Sequence, residues 1–142
     1  LIEGASDGAG LGDRFLRHVE RTKLILHLVD VSSLSGRDPV KDYEIINREL
    51  TNYDANLGAR PQIVVATKID ALDDPKRLEK LKKRAKKDGK AFFEISSVTN
   101  VGVKALVNAV SISLDEFNRD EAEAMAEAEK ERLGDTAESV AV

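Results

Sequence analysis

The sequence predicts an α/β layer structure with a mainly parallel sheet, and three observations carry that expectation. Apolar runs of strand length alternate three times with segments of helical periodicity. Each apolar run ends on a short polar group, at Asp30, at Thr67 to Asp70, and at Ser96 to Val98. Two Asp-Pro pairs, Asp38-Pro39 and Asp74-Pro75, stand where helices must begin. In each, a capping carboxylate precedes a proline whose fixed φ suits the first helical position.

Taken in order, residues 1–12 hold Gly4, Gly8, Gly10 and Gly12 among small residues and read as a mobile loop. Asp13 is placed to cap a short helix to about Arg21, with Phe15, Leu16 and Val19 at helical spacing and His18 on its solvated face. Leu24 to Val29 reads as a strand covered on both faces, in which His27 is a core histidine bonded to a backbone group. After Pro39, Tyr43, Ile46, Leu50, Tyr53 and Leu57 repeat at helical spacing until Gly58. Ile63 to Ala66 is the second buried strand. A basic helix then runs from Pro75 to Asp88-Gly89, and Ala91 to Ile95 is the third strand. Val103, Leu106, Val107, Val110, Leu114 and Phe117 form an apolar stripe on a last helix. That helix is predicted to continue through the Ala/Glu-rich stretch 119–133 to a frayed end.

Composition removes several kinds of chemistry. The 142 residues contain no Cys, which excludes disulfides, thiolate catalysis and cysteine-based zinc sites. No apolar run approaches the roughly 18–20 residues of a membrane helix, and the start lacks the basic-then-apolar order of a signal peptide. A soluble, cytoplasmic, monomeric protein with no membrane partner is the expectation. The first residues, beginning at Leu1, have neither a strand nor a capped helix behind them, so the chain reads as a fragment. With 22 Lys plus Arg against 26 Asp plus Glu, the formal net charge is −4, but the charge is polarised. Lys76 to Lys90 holds nine basic and two acidic residues, whereas Asp115 to Glu138 holds ten acidic and three basic.

In sheets of this class ligands bind beyond the carboxyl ends of the strands, which is the rim where the three polar groups fall. The tetrad Thr67-Lys68-Ile69-Asp70 is the most informative. A carboxylate held at a strand end can accept two parallel hydrogen bonds from the imino and amino groups of guanine, which adenine does not supply in that arrangement. The lysine before it can lay its aliphatic stem over the base. Ser96-Ser97-Val98, after the next strand, would present a backbone N–H to the guanine carbonyl. Either group alone is equally an ordinary polar strand end; on consecutive strands they reinforce each other. No Walker A exists, because Gly4 is followed five positions later by Ala9 and Gly89-Lys90 by Ala91. Gly8, Gly10 and Gly12 space as GxGxG with no strand before them, so no dinucleotide fingerprint exists either. Asp30-Val31-Ser32 invites a phosphotransfer reading, which is set aside because the second Asp usual in haloacid dehalogenase-like enzymes is absent. The basic helix 76–90 is a candidate surface for RNA phosphates, although charged helix faces are commonly just solvated.

Leu1-Ile2-Glu3-Gly4-Ala5-Ser6, then Gly10-Leu11-Gly12 with Phe15-Leu16-Arg17-His18, resembles the segment after the DxxG motif in Obg (CgtA) GTPases. The likeness continues through Glu20-Arg21-Thr22, Val29-Asp30, Gly36-Arg37-Asp38-Pro39, Arg60-Pro61-Gln62-Ile63-Val64, the tetrad and Ile95-Ser96-Ser97-Val98-Thr99. It covers roughly residues 1–117. The resemblance implies the base-binding half of a P-loop NTPase-like parallel sheet, with residues 1–118 as the back half of the GTPase domain and 119–142 as an acidic helical extension. It implies that Lys68 packs the base, Asp70 carries guanine specificity, Thr67 stands where most members have Asn, and Ser96, Ser97 and Val98 form the second base loop. Residues 1–12 correspond to the second switch, where Leu1 replaces the glutamine that orients water in Ras-type enzymes, so slow intrinsic hydrolysis is expected. Intact members bind GTP or GDP with Mg²⁺ and act in large ribosomal subunit assembly, which makes that subunit or its RNA the implied partner. The phosphate loop and the Mg²⁺ ligands precede Leu1 in the family. No catalytic or metal-binding residue is therefore expected within this segment, and alone it is expected neither to bind GTP tightly nor to hydrolyse it. The competing reading is a non-catalytic nucleotide-sensing or protein-binding α/β module.

Overall fold

A computed structural model describes residues 14, 16, 17 and 22–140, without the side chains of 135–140. The loop expected over 1–12, Leu1 and His18 lie outside the described residues. Arg14, Leu16 and Arg17 are helical, and Leu16 is fully buried with Leu50 and Leu57. The elements that follow are β1 (Ile25–Asp30), α1 (Pro39–Tyr53), α2 (Ala55–Gly58), β2 (Gln62–Thr67), α3 (Pro75–Lys87), β3 (Ala91–Glu94) and α4 (Val103–Val140). The strands form one parallel sheet in the order β1-β2-β3, with His27 opposite Val64, Asp30 opposite Thr67, and Val64 opposite Phe92.

Both Asp-Pro starts act as expected. Asp38 accepts from the amides of Val40 and Lys41 at the head of α1, and Asp74 accepts from Lys76 N at the head of α3. Each cap stabilises its helix by about 1 kcal/mol over alanine. The helix expected to reach Gly58 is instead broken at Asp54, which leaves helical φ/ψ to cap α2 through its bond from Asn56 N. Asp competes with the helix by bonding nearby amides, and here that local bond wins.

Val29, Val31, Tyr43, Val64, Ala66, Leu81 and Ala85 form the main core, between the sheet and the helices α1 and α3. β2 is the central strand and is buried on both faces, from Gln62 through Ala66. β1 departs from the expectation of two covered faces. Val29 is buried, but Leu26 and Leu28 are 42% and 59% exposed. Leu26 and Leu28, two residues apart, share the face of the strand that the described residues leave open, whereas Val29 points to the core on the other. His27 also departs from expectation. It is buried, stacks on Tyr43 with ring centroids 5.2 Å apart, and has a side-chain hydrogen bond with Gln62 rather than with the backbone, while Nδ1 has no partner among the described residues. Burial, the largest influence, drives its pKa down to about 4.

At the amino ends of the strands, charged groups satisfy one another. The Tyr43 hydroxyl donates to Asp88 Oδ2 at 2.7 Å, and Arg84 pairs with both Asp88 and Glu44. Lys90 donates to Asn47 and Gln62 and sits 4.9 Å above the Tyr43 ring. A cleft of about 340 Å³ opens there.

The chain divides into two compact units, one running through Val107 and the other from Asn108. α4 is continuous through Val140. Of its expected stripe, Leu106 is buried and Val103, Val110 and Phe117 are half-buried, but Val107 and Leu114 are exposed. Among the described residues no helix is long and apolar enough to cross a membrane.

Candidate functional site

The carboxyl ends of the strands converge on one rim. Beyond β2 the ladder continues for one bond on each side, Val31 N to Thr67 O at 3.3 Å and Ile69 N to Ile95 O at 3.4 Å. Between those two bonds the chain turns through Lys68, which adopts the left-handed region at φ 60°. For a residue with a Cβ that conformation costs about 1–2 kcal/mol, and such strain concentrates at functional sites. A single 3₁₀ turn, Ile69–Ala71, follows and displays Asp70.

The third strand supplies the opposing loop. Ser96 is fully buried, and its hydroxyl donates to Asp70 Oδ1 at 2.6 Å while accepting from Thr99 N at 3.1 Å. The loop is closed by Ser96 N donating to Val101 O at 3.0 Å, with left-handed backbone at Asn100 and Gly102. Ser97 and Val98 form the exposed turn, and their amides have no hydrogen-bond acceptor among the described residues.

The six residues singled out in the sequence therefore lie on one rim, in different roles. Lys68, Asp70, Ser97 and Val98 are exposed there. Ser96 is inside, orienting Asp70. Thr67 is turned to the protein, its hydroxyl donating to Val29 O at 3.4 Å, so it ties β2 to β1.

The end of the first strand contributes Asp30, which the sequence puts on this rim without a part in base binding, and the loop after it contributes Ser32. Asp30 Oδ1 accepts from both the amide and the hydroxyl of Ser32, at 2.8 and 2.7 Å, while Oδ2 accepts from Lys68 Nζ at 2.9 Å. Burial alone would raise the Asp30 pKa, but the bonds from Ser32 and Lys68 outweigh it and hold the carboxyl below its ordinary value. The Asp-x-Ser spacing was the available signal, because it favours a turn in which the carboxylate bonds the amide two residues on. Arg77 of α3 was missed. Its guanidinium donates to the carbonyls of Val31, Ser32 and Arg37, pinning the loop after β1. Ser33 is held in the same loop by Asp73 at 2.5 Å.

Among the described residues no group of three or more His, Cys, Asp or Glu could hold a metal ion. The cleft at the amino ends of the strands has Arg84 and Lys90 already committed to protein partners, so we place the site at the carboxyl rim, where Asp70 Oδ2 and the turn amides remain available.

A three-stranded parallel sheet with flanking helices and these rim loops defines an α/β half-domain of the P-loop NTPase-like class. No protein-family model matches the chain. Curated relatives do. GTPase Obg of Solibacter usitatus (strain Ellin6076) is 56% identical over 111 residues, 78% of this chain and 33% of that protein. GTPase Obg of Acidobacterium capsulatum is 54% identical over 120 residues, 84% of this chain and 35% of its own length. GTPase Obg of Alkaliphilus metalliredigens is 46% identical over 133 residues, 94% of this chain and 31% of its own length. The chain belongs to the Obg family as a partial segment, spanning about a third of the length of these curated relatives.

Proposed function

We propose that this chain is the guanine-reading part of a GTP-binding, GTP-hydrolysing protein of the Obg type. The observation that carries the reading is the Ser96-oriented carboxylate of Asp70, one turn beyond a lysine held in left-handed backbone. In this reading Asp70 accepts two hydrogen bonds from the guanine edge, the Lys68 stem lies over the base, and the Ser97 or Val98 amide donates to its carbonyl. Thr67 secures the loop from behind. GTP or GDP is the ligand, and Mg²⁺ and the phosphate groups are held by parts of the intact protein that this segment does not supply. The segment alone therefore neither binds GTP tightly nor turns it over. The relatives' name, GTPase Obg, supports the nucleotide. A cytoplasmic role in large ribosomal subunit assembly is the cellular reading, with the outward lysines of α3 as the RNA-facing surface. Lys76, Lys80, Lys83 and Lys87 are exposed at positions that align along one side of the helix.

The test is Asp70→Asn in the intact protein, with GDP and xanthosine diphosphate titrated side by side. Reversing the hydrogen-bond polarity of one side chain is expected to weaken GDP by about 100-fold or more and to strengthen the xanthine nucleotide. An unchanged preference between the two bases would refute base reading by Asp70.

A further inference from the structure

Lysine is a poor wall for a flat ligand unless its far end is held. The Lys68 stem has four rotatable carbons and its side chain is 59% exposed, so nothing in its own loop confines it. What confines it is on the neighbouring strand. Asp30 stands opposite Thr67 in the parallel register, one residue back from Lys68, and its Oδ2 takes the ammonium at 2.9 Å. The Asp30 carboxylate is itself held on its second oxygen by Ser32, which is fully buried and offers both its amide and its hydroxyl. All three donors are thus spread over two oxygens, and the carboxylate has one orientation to offer.

We propose that Asp30 is a positioning residue for nucleotide binding, which anchors the Lys68 ammonium so that the stem crosses from the end of β2 to the end of β1 and forms a preset wall for the base. This rests on the guanine reading of the rim. A stem already stretched between two strand ends loses little rotamer freedom when a base packs on it, whereas a free lysine must be ordered by the ligand at the expense of affinity. Asp30 touches no part of the base in this scheme; its effect is transmitted through Lys68 alone. Ser32 acts one step further back, and its removal produces a weaker effect in the same direction.

The experiment is a double-mutant cycle in the intact protein, with a fluorescent GDP as probe and Asp30→Asn, Lys68→Ala and the pair compared with wild type. Asn keeps the shape and can still accept from Ser32, so folding is retained. Asp30→Asn is expected to weaken GDP by about five- to tenfold, and to have no further effect once Lys68 is alanine. Ser32→Ala, a milder perturbation of the same anchor, is expected to weaken GDP by about two- to threefold. Equal penalties for Asp30→Asn with and without Lys68, or no penalty in either background, would overturn the anchor. Asp70→Asn, run alongside, separates the two claims. If it switches the base preference while the cycle shows no coupling, only the anchor is wrong; if the base preference does not move, the guanine reading fails and the anchor falls with it.

Discussion

The Ser96 hydroxyl donates to Asp70 Oδ1 at 2.6 Å from a position with no solvent exposure, and Ser96 Oγ itself accepts from Thr99 N. One buried hydroxyl thus fixes an exposed carboxylate in the turn after the preceding strand and folds its own loop. Ser96, expected from sequence order in the second base loop, lies beneath the exposed turn, because it is the last inward position before the chain turns out at Ser97.

Ser96→Ala removes that donor and leaves the Thr99 amide without its acceptor. Asp70 then samples rotamers it does not visit now, and GDP affinity in the intact protein is expected to fall by about five- to tenfold while the preference for guanine over xanthine is kept. Isothermal titration of both nucleotides checks this. Affinity within twofold of wild type would show that Asp70 does not depend on Ser96.

The alternation of strands and helices, the two proline-led helices and the rim were legible because each has a local cause. Apolar runs of strand length, an Asp-Pro pair and a polar group after a strand are all read within a few residues. The Asp30–Lys68 ion pair and the bonds of Arg77 were not legible in the same way, since the partners stand 38 to 46 residues apart and meet only when β1, β2 and α3 are packed. The break at Asp54 is a further case, in which two energetically close local choices, a continuing helix or a new cap, are decided by a single side-chain bond.

Two glycines in left-handed backbone separate conformational strain from steric exclusion. Gly36 lies at φ +66° with open space where a Cβ would stand, whereas a Cβ on Gly102, at φ +76°, would sit 2.0 Å from the carbonyl oxygen of Glu94. Gly36→Ala is expected to cost about 1 kcal/mol, the conformational penalty alone. Gly102→Ala must also push the loop off β3, and is expected to cost roughly 3 kcal/mol or more and to disorder the Ser97–Val98 turn. Urea unfolding compares the two, and equal losses would show that the approach of Gly102 to β3 is not needed.

His27 gives the fold an acid sensitivity with a defined window. Its folded-state pKa is pushed down to about 4 from an ordinary value of 6.5, first by burial and then by Lys90, against the opposing bond with Gln62. Between those two values the unfolded chain carries the proton and the folded chain does not, so stability falls as the pH is lowered through this range. The whole span is worth about 3 kcal/mol at most, reached near pH 4. The carboxylates Asp30 and Asp88, whose hydrogen bonds outweigh burial and hold them below 3.8, lose their stabilisation only at more acid pH. His27→Phe keeps a ring stacked on Tyr43 and removes the titrating group, while His18 is common to both proteins and cancels in the comparison. Unfolding free energies measured from pH 7.5 to 4.5 are therefore expected to decline steeply for wild type and to flatten for the variant, whatever constant offset the lost Gln62 bond introduces. Parallel curves over that range would mean that His27 is protonated in the folded state without penalty, and that the buried ring is not the source of acid sensitivity.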